Sequence, residues 1–248
     1  MRCAGRGAEM SGAIGSSLPR GVRQLSLAFP LNSECLFSNF LDQGNEELLS
    51  RLQAMAVGQR LFSGCFLWGE AGVGKTHLLQ AACQQQGEAG HGAIYLPLGD
   101  SDVVPQLLEG LEHLRFVALD DLDAWVGQRE HEQALMGLYQ GLLETGGQLL
   151  LSATRPHLEF CYADLASRIQ SLAAYPVRPL DDAGKSRVLR RLAAERGLTL
   201  EASVLDFWFA RGPRGLADLI GQLELLDRAA MEAQRRITVP LLKAVLGL

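Results

Sequence analysis

Gly69-Glu-Ala-Gly-Val-Gly-Lys75-Thr76 fills every fixed position of the phosphate-binding pattern GxxxxGK[S/T]. The apolar run Cys65-Phe-Leu-Trp68 before it reads as a strand, and Thr76-His-Leu-Leu-Gln-Ala-Ala-Cys83 after it reads as a helix. Between a strand and a helix, such glycines let backbone N–H groups curl around phosphate oxygens at the positive end of the helix. Lys75 then reaches the β and γ oxygens, and Thr76 offers its hydroxyl to Mg²⁺. Gly69, Glu70, Ala71, Gly72, Val73, Gly74, Lys75, Thr76 and His77 are therefore the candidate phosphate-binding residues. An ordinary glycine-rich turn is the alternative, and the coincidence of strand, full motif and helix argues against it.

Outward from this loop, Ala93-Ile-Tyr-Leu-Pro-Leu98, Arg115-Phe-Val-Ala-Leu-Asp120, Gln148-Leu-Leu-Leu-Ser152 and Tyr175-Pro-Val177 read as further strands. Their apolar runs are nearly continuous rather than alternating, which predicts a parallel sheet buried on both faces, with helices as crossovers. Glu130 to Glu144 has apolar residues at helical spacing and stops before Gly146-Gly147. From Asp181 onward strand signals vanish. Asp181 or Asp182 caps a helix running through Ala194 that Gly197 ends, Glu201 to Ala210 and Gly215 to Arg235 follow, and Pro240 starts a last one. The expectation is an α/β fold: a core with a five-stranded parallel sheet flanked by helices, then a small all-α lid domain. In residue numbers this is a flexible leader at 1–23, a separate peptide at 24–29, the nucleotide-binding domain at 30–180 and the helical domain at 181–248.

The chain of 248 residues is 48% hydrophobic and 21% charged, the balance of a globular protein. No apolar run approaches the ~20 residues of a membrane-spanning helix. Met1 to Val22 lacks a signal-peptide core, and translation starts at Met1 or Met10. The five cysteines are scattered without a CxxC pair, which argues against disulfides and zinc and for the cytoplasm. The five histidines show no metal-ligand spacing. A net charge of −5 disfavours broad contact with nucleic acid, so any DNA affinity is local or indirect. The late arginines Arg187, Arg190, Arg191, Arg196, Arg228, Arg235 and Arg236 read as solvated helix faces.

A buried strand ending in Asp120-Asp121 sets carboxylates beside the phosphate site. Asp120 is placed to hold the Mg²⁺ water shell and Asp121 to orient or deprotonate an attacking water, with a shorter arm than a glutamate. Thr154, at the tip of the Gln148 strand, is a candidate for the γ-phosphate or its water. Arg168 and Arg214 each offer a planar guanidinium suited to phosphate, although a lone arginine is more often a surface ion-pair former.

Taken together these motifs resemble the AAA+ ATPases, and within them the clade of the bacterial replication initiator DnaA. The resemblance runs from about Leu36 to Leu248. It implies that Phe37, Phe40 and Asn45 flank an adenine, so that ADP or ATP with Mg²⁺ is the cofactor. It places Thr154 at the sensor-1 position, Arg168 of Ala-Ser-Arg at the arginine-finger position and Arg214 of Gly-Pro-Arg at the sensor-2 position. A finger acts on a nucleotide held by a neighbouring subunit, so self-association is open as well. DnaA carries a helix-turn-helix DNA reader after its lid, and this chain, ending at Leu248, is expected to lack one.

Ahead of the core, Gln24-Leu25-Ser-Leu27-Ala-Phe29 resembles the QLxLxF peptide by which replication factors bind the β sliding clamp. Leu27 and Phe29 would seat in an apolar pocket, with Gln24 and Leu25 beside it. The alternative is a first strand or hydrophobic latch of the core itself. With the AAA+ motifs, the peptide resembles the Hda family of DnaA-related regulators. That resemblance implies an ADP-bound adaptor that meets DnaA and the clamp on DNA and stimulates DnaA's ATP hydrolysis through Arg168, preventing re-initiation. An autonomous ATPase such as a helicase loader, and a clamp-binding module with inert nucleotide, are the rival readings.

Overall fold

A computed structural model describes residues 29–57, 63–233 and 236–248. Five strands form one parallel sheet: β1 (Ser63–Trp68), β2 (Ala93–Pro97), β3 (Phe116–Asp120), β4 (Gln148–Ala153) and β5 (Ala173–Pro176), in the order β2-β3-β4-β1-β5. Successive side chains of a strand point to opposite faces, and here both faces are apolar. Phe66, Leu96, Val117, Leu119, Leu149 and Leu151 enter one core, while Cys65, Leu67, Tyr95, Phe116, Ala118 and Leu150 enter the other. That double burial is why the strands read as continuous apolar runs.

The helices of the α/β layer are α1 (Glu46–Val57), α2 (Lys75–Glu88), α3 (Arg129–Thr145) and α4 (Ala163–Gln170). α1 and α2 cover the Cys65 side with Leu48, Leu52, Leu78 and Leu79, and α3 and α4 cover the Phe66 side with Leu135, Leu142, Leu165 and Ile169. Gly146 ends α3 at φ 71°, a left-handed conformation that glycine adopts freely. Four helices follow β5: α5 (Asp182–Glu195), α6 (Ala202–Arg211), α7 (Leu216–Ala233) and α8 (Val239–Leu246). Leu219, Leu223, Leu226 and Ala230 make a single stripe on α7 that closes on Leu189, Leu205, Trp208 and Leu242 in a separate core. Asp181 caps α5 by accepting from the Gly184 N–H at 2.7 Å, and Thr238 caps α8.

Two expectations shift. β5 lies two residues earlier than Tyr175-Pro-Val177 suggests, because its alanines give little strand signal while they pair with Cys65 and Phe66. α4 escapes periodicity because only Leu165 and Ile169 mark its buried face. No described helix is long and apolar enough to cross a membrane.

Candidate functional site

Because β1, β3 and β4 run parallel, the loop after Trp68, the Asp120-Asp121 pair and the Ser152 to Thr154 tip all lie at the carboxyl edge of the sheet. In such sheets ligands bind in the crevice beyond the strand ends. Gly69 N–H donates to Ala153 O at 3.2 Å and fixes the start of the loop. Lys75 is 6% exposed, and its ammonium donates to the Gly69 and Glu70 carbonyls at 2.9 and 3.0 Å. Those bonds use two of its three donors and hold the charge inside the loop. Gly74 begins α2 at φ 105°, and a Cβ there would lie 2.8 Å from Phe40 Cε2. Only glycine fits under that ring.

Asp120, 1% exposed, is the centre of the site. Its Oδ2 accepts from Thr76 Oγ1 at 2.6 Å and Tyr95 OH at 3.0 Å, and its Oδ1 accepts from Ser152 Oγ and from the Asp121 N–H at 3.2 Å. Burial, and after it the Asp120 charge, push the Tyr95 phenol above its ordinary value, so it stays a donor. A hydroxyl and a carboxylate in contact are the donor set that P-loop proteins pair with phosphate oxygens around Mg²⁺. No group of three or more His, Cys, Asp or Glu among the described residues forms a cage for a metal without phosphate. Thr76 and Asp120 therefore fit Mg²⁺ held together with a nucleotide.

Asp121 sits at φ 56°, left-handed and unusual outside glycine, and its N–H also donates to Ser152 Oγ at 3.1 Å. Desolvation in the cleft and then the Asp120 charge raise its carboxyl, while Lys75 opposes them. Thr154 is committed elsewhere than expected: its hydroxyl and N–H donate to the two carboxylate oxygens of Asp123 at 2.6 and 2.7 Å. The tip of β4 is thereby tied to the turn after β3.

Phe37 and Phe40 pack against the Cys65-side core, and Phe40 lies 5.7 Å from the His77 ring. His77 Nε2 donates to Leu36 O at 2.8 Å, and burial lowers its pKa against the raising effect of that carbonyl. Arg191 of α5 donates to Asn39 O at 2.8 Å, bringing the helical domain onto the same segment. Asn45, 3% exposed, spends its amide on the backbone: Oδ1 accepts from Arg178 N–H at 2.8 Å and Nδ2 donates to Arg178 O at 3.1 Å.

The start of α7 also reaches the loop, since a Cβ on Gly72 would lie 3.1 Å from the Ala217 Cβ. Arg214, just before α7, pairs with Asp182 at 3.7 Å and is 78% exposed. Arg168 on α4 is held on three sides. Its Nε donates to Asp164 at 3.0 Å, a terminal nitrogen donates to Gln140 at 2.9 Å, and the guanidinium carbon lies 5.4 Å from the Tyr139 ring centroid. Glu132, fully buried, anchors the loop that leads into α4 by accepting from the Gly127, Cys161 and Tyr162 N–H groups at 2.7, 3.0 and 3.1 Å.

Phe29 is half-buried against the Phe66-side core, so this residue of the predicted clamp peptide packs as a latch. Gln24, Leu25 and Leu27 lie outside the described residues. Tyr95, Ser152, Asp123 and Glu132 escaped the sequence reading. A polar tip within each apolar run, Ala93-Ile-Tyr95 and Leu149-Leu-Leu-Ser152, was the signal for the first two.

Two family models match the chain: the bacterial DnaA ATPase domain over residues 31–96 and the Hda lid domain over residues 182–246. Among solved structures, domain III of the Thermotoga maritima replication initiation protein DnaA aligns at TM-score 0.76 and 22% identity, covering 88% of this chain and 98% of that one. AMPPCP-bound DnaA from Aquifex aeolicus aligns at 0.69 and 22%, covering 82% and 68%. A Thermotoga maritima RuvB mutant aligns at 0.66 and 18%, covering 86% and 71%. These structures share the fold, and the models, one at the phosphate loop and one at the lid, narrow it further. The two partial matches and the shared fold together support a Hda/DnaA-family AAA+ protein.

Proposed function

We propose that this chain is a nucleotide-bound regulator of replication initiation that acts on DnaA's ATP rather than chiefly on its own. ADP is the favoured ligand, in the cleft formed by Gly69 to Thr76, Phe40 and the start of α7. The observation that carries the reading is the presentation of Arg168: Asp164, Gln140 and Tyr139 hold its guanidinium at the surface in one orientation. A guanidinium fixed beforehand loses little freedom when it meets phosphate charge developing in a neighbour's site. The match to the Hda lid supports the same reading.

The β sliding clamp is the second partner, engaged through Gln24, Leu25, Leu27 and Phe29. Phe29 would exchange its seat on the core for a pocket on the clamp. DNA is met indirectly, through the clamp. The setting is the cytoplasm, at the nucleoid or replisome. Mg²⁺, held by Thr76 and Asp120 with the nucleotide, would neutralise phosphate charge there.

The test is hydrolysis of DnaA-bound ATP in the presence of clamp-loaded DNA. Arg168→Ala is expected to lose about 10³-fold of the stimulation while binding ADP normally, and Gln24→Ala/Phe29→Ala to lose clamp pull-down and stimulation together. Undiminished stimulation by Arg168→Ala refutes the mechanism. One observation favours a second reading, an autonomous ATPase: Lys75, Thr76, Asp120 and Asp121 converge on one cleft. Robust turnover by the purified chain without DnaA would select it.

A further inference from the structure

Tyr95 lies on β2, one strand beyond β3, and its ring belongs to the Cys65-side core at 7% exposure. Packing alone would be satisfied by phenylalanine. The hydroxyl instead donates to Asp120 Oδ2 at 3.0 Å, with the Gln80 side chain as a polar neighbour. Gln80, on the helix that follows the phosphate loop, accepts from the Asn32 N–H through Oε1 at 2.9 Å. The phenol's single proton is directed to Asp120.

The two carboxylate oxygens of Asp120 are used differently. Ser152 and the Asp121 N–H hold Oδ1, whereas Thr76 and Tyr95 share Oδ2. Thr76 is the residue whose oxygen would turn to a cation. A cation would take a lone pair of that oxygen and leave its proton on Oδ2, so Thr76 and Tyr95 hold Oδ2 together, Tyr95 from a buried strand. Partners in the outer shell of a metal site commonly carry 10- to 100-fold of its affinity, roughly, by fixing the ligand's orientation.

We propose that Tyr95 is a positioning residue for Asp120, and that its hydroxyl sets how strongly nucleotide binding depends on Mg²⁺. The inference rests on the nucleotide-binding reading and deepens it. The experiment titrates a fluorescent ADP analogue into the full chain across Mg²⁺ concentrations and in EDTA. Tyr95→Phe should leave the EDTA affinity unchanged and raise the Mg²⁺ concentration for half-maximal tightening by about tenfold or more. Tyr95→Trp, which keeps an aromatic ring on β2 but cannot place a hydroxyl on Oδ2, should shift the midpoint the same way, and carries the test if Tyr95→Phe does not fold.

Equal midpoints for wild type and variants overturn the proposal. So does equal weakening with and without Mg²⁺, which would make Tyr95 a packing residue only, and so does a wild-type affinity indifferent to Mg²⁺. Failure of the wild type to bind the analogue under either condition removes the nucleotide-binding reading and this proposal with it.

Discussion

Replacing Glu132 with glutamine separates its three bonds. Oε1 accepts from Gly127 and Cys161 and Oε2 from Tyr162, and the side chain has no exposed surface. A glutamine that keeps its oxygen at the Oε1 position preserves the first two bonds and turns an NH₂ group toward the Tyr162 N–H. One orphaned donor costs about 1–3 kcal/mol, so Glu132→Gln should lose roughly 1–2 kcal/mol, because the Tyr162 backbone is near enough to the surface to recruit some water. Glu132→Ala orphans all three. Gly127 and Cys161 are exposed, so water limits the loss to about 3 kcal/mol rather than three full penalties. Amide hydrogen exchange resolves the pattern. Tyr162 should lose about tenfold protection in Glu132→Gln while Gly127 and Cys161 keep theirs, and all three should lose it in Glu132→Ala, since ~1.4 kcal/mol is a factor of ten. Because the loop leads into α4, the proposed stimulation of DnaA should fall in both variants at unchanged ADP affinity. Equal loss at the three amides in Glu132→Gln, or no loss in Glu132→Ala, refutes the anchoring role.

Gly74→Ala must hold φ 105° and push a methyl into Phe40; strain of about 1–3 kcal/mol should weaken ADP binding roughly 5- to 150-fold by calorimetry, and wild-type affinity would show that the loop relaxes freely. Trp208→Ala empties the centre of the helical domain, where Trp208 is fully buried and its indole N–H donates to Gln222 at 2.6 Å. A loss of about 3–5 kcal/mol is expected to speed exchange in α5 to α8 ahead of the sheet strands, and uniform acceleration would mean that the two cores unfold together. The Gly184 N–H, and after it Gln43, hold the Asp181 carboxyl below the ordinary carboxylate range. A depressed acid stabilises the fold above its unfolded pKa of about 3.9 and loses that contribution as pH falls through the folded value. Asp181→Ala should therefore lower Tm at pH 7, with the gap closing below about pH 4; a gap independent of pH would make the cap's charge irrelevant.

Strands β1 to β4 and most helices could be read because each carries a local signal: double burial in those strands, one apolar stripe in α7, Asp181 and Gly146 at helix ends. Strand order could not, since β1 enters between β4 and β5 through contacts between residues far apart in sequence. α1 carries the signal in Leu48, Leu52 and Met55, just beyond the Leu36 to Asn45 segment that the resemblance sets beside an adenine. In the site, residue type fixed the chemistry of Lys75, Thr76 and Asp120, whereas partnership fixed the rest. Thr154 pairs with Asp123, and Asn45 with the Arg178 backbone, because folding brings together groups 31 and 133 residues apart. Tyr95 sits within an apolar run, and only the pairing of β2 with β3 brings its hydroxyl to Asp120.

The Asn45 amide grips both backbone groups of Arg178, at the point where the chain leaves the sheet for the helical domain. A pivot at Arg178 would break both bonds, so movement of the helical domain is disfavoured there. Any swing must be taken up in the three residues Pro179, Leu180 and Asp181, of which the first has a fixed φ and the last caps α5. Leu180 is then the principal free joint, so the helical domain should swing about a nearly fixed axis, carrying Arg214 and Ala217 over the phosphate loop along one arc.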